Sequence, residues 1–195
     1  MATKRLLYLH GFNSSPASEK ANQTCSYFAE NDLFRIDIPA LPAEPSKAID
    51  LLENKLQVAE YSGLIGSSLG GFYSLYLHVN YALPAVLINP AVRPYELLSD
   101  YIGINKNTYT GVEYEVKSEH MEQLLALDVD RTSLKLSQLF LLTESEDETL
   151  NYQEAALKLL GAKMYLSRGG DHSYTSFTKH LPTIEHFFNR ISSKS

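Results

Sequence analysis

The sequence has one cysteine, no long apolar run, no cluster of basic residues and no array of metal-ligating side chains. Each shortage excludes something. Cys25 alone cannot close an internal disulfide, so a reducing compartment is the expected home. No apolar stretch approaches the roughly 20 residues that a membrane-spanning helix needs. The N-terminal stretch Met1-Ala2-Thr3-Lys4-Arg5 leads straight into a strand-like run without a small-residue cleavage site, which excludes a signal peptide and predicts a cytoplasmic protein. The net charge is −6 and the basic residues are dispersed, which argues against a nucleic-acid partner. No set of Cys, His and acidic residues has metal-ligand spacing, and neither metal nor other cofactor is expected. There is no internal repeat, low-complexity tract or Pro/Gly/Ser linker to divide the chain. Its 195 residues are enough for one domain with a full core.

What is present is alternation. Arg5 to Leu9 reads as a strand buried on both faces, as parallel-sheet strands are. A helix is predicted from about Ala17 to Glu30, with Ser18 or the Ser15-Pro16 segment near its start. Leu33 to Ile38 is a second strand, closed by Pro39 and Pro42. Pro45-Ser46 opens a helix with Ile49, Leu52, Leu56 and Ala59 on one side. Strands at Ser62–Ser67, Pro84–Asn89, Gln138–Thr143 and Ala162–Ser167 follow, with helices after Leu69, from Leu150 to Leu160 (closed by Gly161) and from Pro182 onward. The last helix turns Ile184, Phe187, Phe188 and Ile191 inward. The alternation breaks between residues 91 and 137, where helix-like pieces (Pro94 to Ile102, Lys117 to Leu127) flank a tyrosine-bearing loop, Asn105 to Tyr114. That is too long for a plain connection and predicts a cap-like insertion. The expected fold is α/β: a six-stranded, mostly parallel, doubly wound sheet whose active site lies beyond the strands' carboxyl ends.

The chemistry centres on Gly66-Ser67-Ser68-Leu69-Gly70-Gly71, between the third strand and its helix. Ser68 takes the central position of a G-x-S-x-G nucleophile elbow, flanked by Gly66 and Gly70 where bulkier residues would collide with adjacent elements. By itself the pattern also suits an ordinary glycine-rich helix start. A phosphate loop is excluded, because neither a G-K-[ST] ending nor G-x-G-x-x-G spacing occurs. Serine needs a base oriented by a carboxylate, and in this fold the order is serine, acid, histidine. His10 precedes the serine, His78 lies on the following helix, His120 in the insertion, and His180 and His186 at or in the terminal helix. His172 is the candidate base, in the Arg168–Ser173 loop between last strand and last helix. The acid should follow the preceding strand, within Thr143–Leu150. Asp147 is favoured because its D-x-x-L continuation starts a helix; Glu146 and Glu144 stay open, and Asp171 is too close in sequence to turn back on His172.

Two amides should face the developing oxyanion, that of Leu69 after the nucleophile and that of Phe12, or else Asn13, in the loop after the first strand. His10 is read as a structural imidazole. Arg93, after Asn89-Pro90-Ala91-Val92, is a candidate partner for an anionic substrate group, set against an ordinary ion pair. Tyr95, Tyr101, Tyr109 and Tyr114 either line an acyl pocket or fasten the insertion to the body.

Leu7-Tyr8-Leu9-His10-Gly11-Phe12-Asn13-Ser14-Ser15, Gly66-Ser67-Ser68-Leu69-Gly70-Gly71 and Asn89-Pro90-Ala91-Val92-Arg93-Pro94, in this order, resemble the YqiA-like bacterial esterases. These are small serine esterases of the α/β-hydrolase fold, also catalogued as an uncharacterised protein family. The likeness extends through Asp100-Tyr101 and Tyr109-Thr110-Gly111. It implies a cytoplasmic enzyme acting on short acyl esters, with acyl-CoA thioesters as an alternative, and a triad of Ser68, Asp147 and His172. The chain departs from the pattern at Glu146, where the family more often has Gly before the Asp-Glu pair, and at Asp171, where Asn is common. A different class of reading is a non-catalytic module that binds a small ligand on the same scaffold. The ordered Ser68, acid and His172 weigh against it.

Overall fold

The computed structural model describes residues 3–30 and 32–192. Met1 and Ala2 of the N-terminal stretch read above lie outside the described residues. Six strands, β1 (Lys4–Leu9), β2 (Phe34–Asp37), β3 (Gly63–Ser67), β4 (Ala85–Ile88), β7 (Leu139–Glu144) and β8 (Lys163–Ser167), form one sheet in the order β2-β1-β3-β4-β7-β8. All five pairings are parallel. The helices are α1 (Glu19–Ala29), α2 (Pro45–Val58), α3 (Leu69–Tyr81), α4 (Pro94–Leu97), α5 (Ser118–Ala126), α6 (Tyr152–Lys158) and α7 (Leu181–Ser192).

Side chains alternate across a strand, so β1 feeds two cores. Leu7 and Leu9 join Leu64, Leu87 and Leu141 under α2, α3 and α5. Leu6 and Tyr8 join Ile65, Val86, Ile88 and Phe140 under α1 and α7, where Ile184, Phe187 and Phe188 are buried as their spacing predicted. A continuous apolar strand fits only a sheet covered on both sides. α3 lies so close to the sheet that a Cβ on Gly70 would run into the Leu9 carbonyl and one on Gly71 would meet Pro90 Cβ at 2.6 Å. The two glycines at the start of that helix are what this approach requires.

The stretch between residues 91 and 137 differs from its expectation. The stretch expected to be a loop, Asn105 to Tyr114, is the greater part of an antiparallel hairpin of β5 (Gly103–Lys106) and β6 (Glu113–Val116). The turn residues dominate the sequence signal: Asn107 Oδ1 accepts the amides of Tyr109 and Thr110, and Gly111 has φ 70°. The period-two pattern of β6, exposed Glu113 and Glu115 against half-buried Tyr114 and buried Val116, is only four residues long. The Pro94–Ile102 piece is one α-turn followed by a 3₁₀ segment, Leu98–Tyr101. The helix expected from Leu150 begins at Tyr152, capped by Asn151 Oδ1 on the Gln153 amide. Asp147 is thus not its cap.

The strand order reverses between β1 and β3, the switch point at which a crevice opens beyond the carboxyl ends. The 10–14 loop leaves β1 there and Ser68 leaves β3.

Candidate active site

Ser68 sits at φ 54°, ψ −121°, a conformation that L-residues adopt only when the surroundings impose it. Its amide donates to the Ile88 carbonyl at 3.1 Å, and its carbonyl accepts from Gly71 and Ala91. The turn is close-packed: a Cβ on Gly66 would strike Ser74 Oγ and the Gly70 carbonyl. Ser68 is one of five non-glycine residues with positive φ among the described residues. Three of the others, Asn13, Asn89 and Tyr174, lie in the loops around it.

His172 and Asp147 come together across 25 residues. Imidazole Nδ1 lies 2.9 Å from Asp147 Oδ2 and 3.1 Å from Oδ1. The carboxylate is 1% exposed and is fixed from behind by the amides of Thr149 and Leu150, at 2.9 and 2.8 Å on Oδ1. A carboxylate on Nδ1 leaves Nε2 available as a base. Ser68 and His172 line one cavity of about 270 Å³, with Tyr8, Phe12, Lys20 and Tyr109 among its other walls. The 10–14 loop separates it from an apolar cavity of about 290 Å³ that ends on Leu69 and Tyr73. A Cβ on Gly11 would stand 3.0 Å from Ser68 Cβ, so that loop passes directly over the serine. The amides of Phe12 and Leu69 have no acceptor among the described residues.

The other acids of the 144–148 run do different work. Glu146 is exposed. Glu144 is 3% exposed, but its Oε2 accepts the Asp171 amide and its Oε1 the Ser176 hydroxyl, so it holds the His172 loop by its backbone. Glu148 Oε2 accepts the His172 amide at 3.0 Å, and that donor holds its carboxyl below the usual range. Neither Glu148 nor Asn89 was singled out as a positioning group from the sequence. Asn89 carried one hint, its place at a strand end before Pro90.

Arg93 stands outside this group. Its guanidinium is half-exposed, bonded to Glu96 at 3.0 Å and Glu154 at 2.7 Å, and it lines neither cavity. Asn13 lines both cavities, and its Oδ1 accepts the Tyr114 hydroxyl. Tyr109 lines the Ser68 cavity while half-exposed. Of the remaining tyrosines, Tyr101 and Tyr114 pack edge-on against Phe12 and so fasten the 91–137 stretch to the loop after β1, whereas Tyr95 bonds Asp128 at 3.0 Å within that stretch. His10 is buried, with Nδ1 donating to the Gly11 carbonyl and Nε2 accepting the Leu41 amide. His78, His120 and His180 are likewise buried. Among the described residues no group of three His, Cys, Asp or Glu side chains is placed to hold a metal, and no helix is long and apolar enough to cross a membrane.

A parallel sheet of this order, a strained serine between strand and helix, and a carboxylate–imidazole pair beside it define an α/β-hydrolase fold. Solved structures agree on the fold. Est1E from Butyrivibrio proteoclasticus superposes with a TM-score of 0.73 at 13% identity, over 98% of this chain and 88% of that one. The esterase domain of a Rhodothermus marinus protein gives 0.70 at 18%, over 96% and 87%. Alpha/beta hydrolase domain-containing protein 10 from mouse gives 0.70 at 14%, over 96% and 90%. The chain belongs to the Uncharacterised protein family (UPF0227), whose model matches residues 5–189.

Proposed function

We propose that this protein is a serine esterase that hydrolyses short-chain acyl esters through Ser68, His172 and Asp147. The observation that carries the reading is the Asp147–His172 bond in a cavity shared with the strained Ser68. His172 Nε2 takes the proton of Ser68 Oγ as the oxygen attacks the ester carbonyl, and Asp147 stabilises the imidazolium. The acceptor-free amides of Phe12 and Leu69 receive the oxyanion. The tetrahedral intermediate collapses, His172 gives its proton to the leaving alkoxide, and an acyl-Ser68 ester remains. Water deprotonated by His172 then attacks that ester, and the carboxylic acid and free serine are released. The apolar cavity of about 290 Å³ suits a short acyl chain. On this reading residues 91–137 are a cap over the sheet's edge, and the single Cys25 suits a reducing, cytoplasmic setting.

The test is p-nitrophenyl butyrate hydrolysis by wild type and Ser68→Ala, with fluorophosphonate labelling read by intact mass. Turnover and a single adduct in wild type should both vanish in Ser68→Ala, a loss of roughly 10³-fold or more. Activity surviving in the variant would mean another nucleophile. A folded wild type with neither turnover nor adduct would favour a ligand-binding module instead.

A further inference from the structure

Of the polar groups in the Ser68 cavity that this mechanism does not use, among them Glu19, Ser18 and Thr108, two stand out. Lys20, in the first turn of α1, sends its ammonium to the Ser173 carbonyl at 2.7 Å, and that carbonyl is its one hydrogen-bond partner among the described residues. Among the described residues it forms no ion pair; burial pulls its pKa below the ordinary lysine value, against the opposing pull of the carboxylates of Asp171, Asp147, Glu19 and Glu144 nearby. Tyr8 is 0% exposed, and its hydroxyl finds no partner at hydrogen-bonding geometry, with Ser67 as its polar neighbour. Buried hydroxyls are rarely left unsatisfied, so an orphan in a cavity wall is open to a bond from whatever fills the cavity. Both groups line the cavity that holds Ser68 and His172.

The two cavities have different jobs. The general acid must reach the leaving oxygen, and His172 lines the cavity of Lys20 and Tyr8 but not the apolar one. The leaving group therefore belongs beside Lys20 and Tyr8, and the acyl chain on the Leu69–Tyr73 side. An ammonium with free donors and a tyrosine hydroxyl together match a carboxylate, each oxygen of which accepts a charge-assisted bond.

We propose that the alcohol portion of the substrate carries a carboxylate, bound by Lys20 Nζ and the Tyr8 hydroxyl, so that the preferred substrates are short-chain acyl esters of hydroxy acids. This rests on the esterase reading above. A bland role for Lys20 as a tether of the His172 loop makes a different prediction, since a tether would affect all esters alike.

The experiment compares kcat/KM for 4-(butyryloxy)butanoate and butyl butyrate, which differ by a carboxylate in place of a methyl group, with butyrylcholine as the opposite charge. Wild type should favour the anionic ester over both. Lys20→Met should lower the anionic-to-neutral ratio by roughly ten- to a hundredfold, Lys20→Arg should retain much of it, and Tyr8→Phe should lower it less than Lys20→Met. Ser68-dependent turnover with no anionic preference, or a preference unchanged in Lys20→Met, would overturn the proposal and leave the esterase standing. A parallel calorimetric titration of 4-(butyryloxy)butanoate into Ser68→Ala, with and without Lys20→Met, covers the case of no turnover of any ester. Binding lost with Lys20 would support the anion site even as the esterase reading failed. Absence of binding would overturn both.

Discussion

Asn89 and His172, 83 residues apart, are joined by a bond from the Asn89 side-chain amide to the His172 carbonyl at 3.3 Å. The same amide nitrogen donates to the Asp171 carbonyl at 3.0 Å, and Asn89 Oδ1 accepts the Glu144 amide at 3.1 Å. One side chain at the end of β4 thus ties the end of β7 to the histidine loop. It does so from φ 39°, a left-handed conformation that asparagine tolerates better than most residues.

Asn89→Asp keeps the shape but removes both donors and sets a second carboxylate near the buried Glu144. The histidine loop should loosen at a cost of roughly 1–3 kcal/mol in stability, the typical penalty for buried polar groups left unpaired. The rate of fluorophosphonate labelling of Ser68 should fall together with kcat. Labelling at the wild-type rate in a folded variant would show that the loop is held by its other contacts, Glu144 and Glu148.

The acid assignment has its own test. Asp147→Asn should lower kcat by about 10³–10⁴-fold, because the charge facing the imidazolium is lost. Glu144→Gln retains an acceptor for the Asp171 amide and should cost about tenfold or less. Measuring both variants on one ester, beside their thermal unfolding, separates the two carboxylates. Equal losses of kcat would put Glu144 in the mechanism.

His10 and His78 share a bonding pattern that fixes the sign of a pH effect. Each donates from Nδ1 to a carbonyl, of Gly11 or Leu83, and accepts a backbone amide, of Leu41 or Lys135, on Nε2. Burial lowers both pKa values below 6.5. As the pH falls through 6.5 the unfolded chain takes up protons that the folded chain refuses, so stability is full above that value and declines below it. Each such histidine adds up to about 1.4 kcal/mol per pH unit to the slope. Urea unfolding between pH 7.5 and 5.5 should show this decline, and a shallower one in His78→Gln. A flat profile in wild type would mean that neither imidazole resists protonation.

The sequence alone determined what is local. Strand runs at Leu6–Leu9 and Leu139–Leu142, the Gly66–Gly71 elbow and the inward stripe of Ile184, Phe187 and Phe188 are legible because burial and backbone angle act over a few neighbouring residues. Chain order also narrowed the histidines to His172 for a physical reason: a parallel sheet delivers each successive loop to the same edge. What lay beyond reach were choices between chemically equal residues. Among Glu144, Glu146 and Asp147, only the meeting of the β7–α6 and β8–α7 loops decides which carboxylate meets the imidazole. Arg93 could not be assigned without seeing Glu154 beside it, and the β5–β6 hairpin was hidden under its own turn residues. Lys20 drew no reading from the sequence, because only the fold brings it to Ser173, at the cavity of Ser68. Contacts between residues tens of positions apart leave no periodicity in the chain, and packing alone makes those pairs.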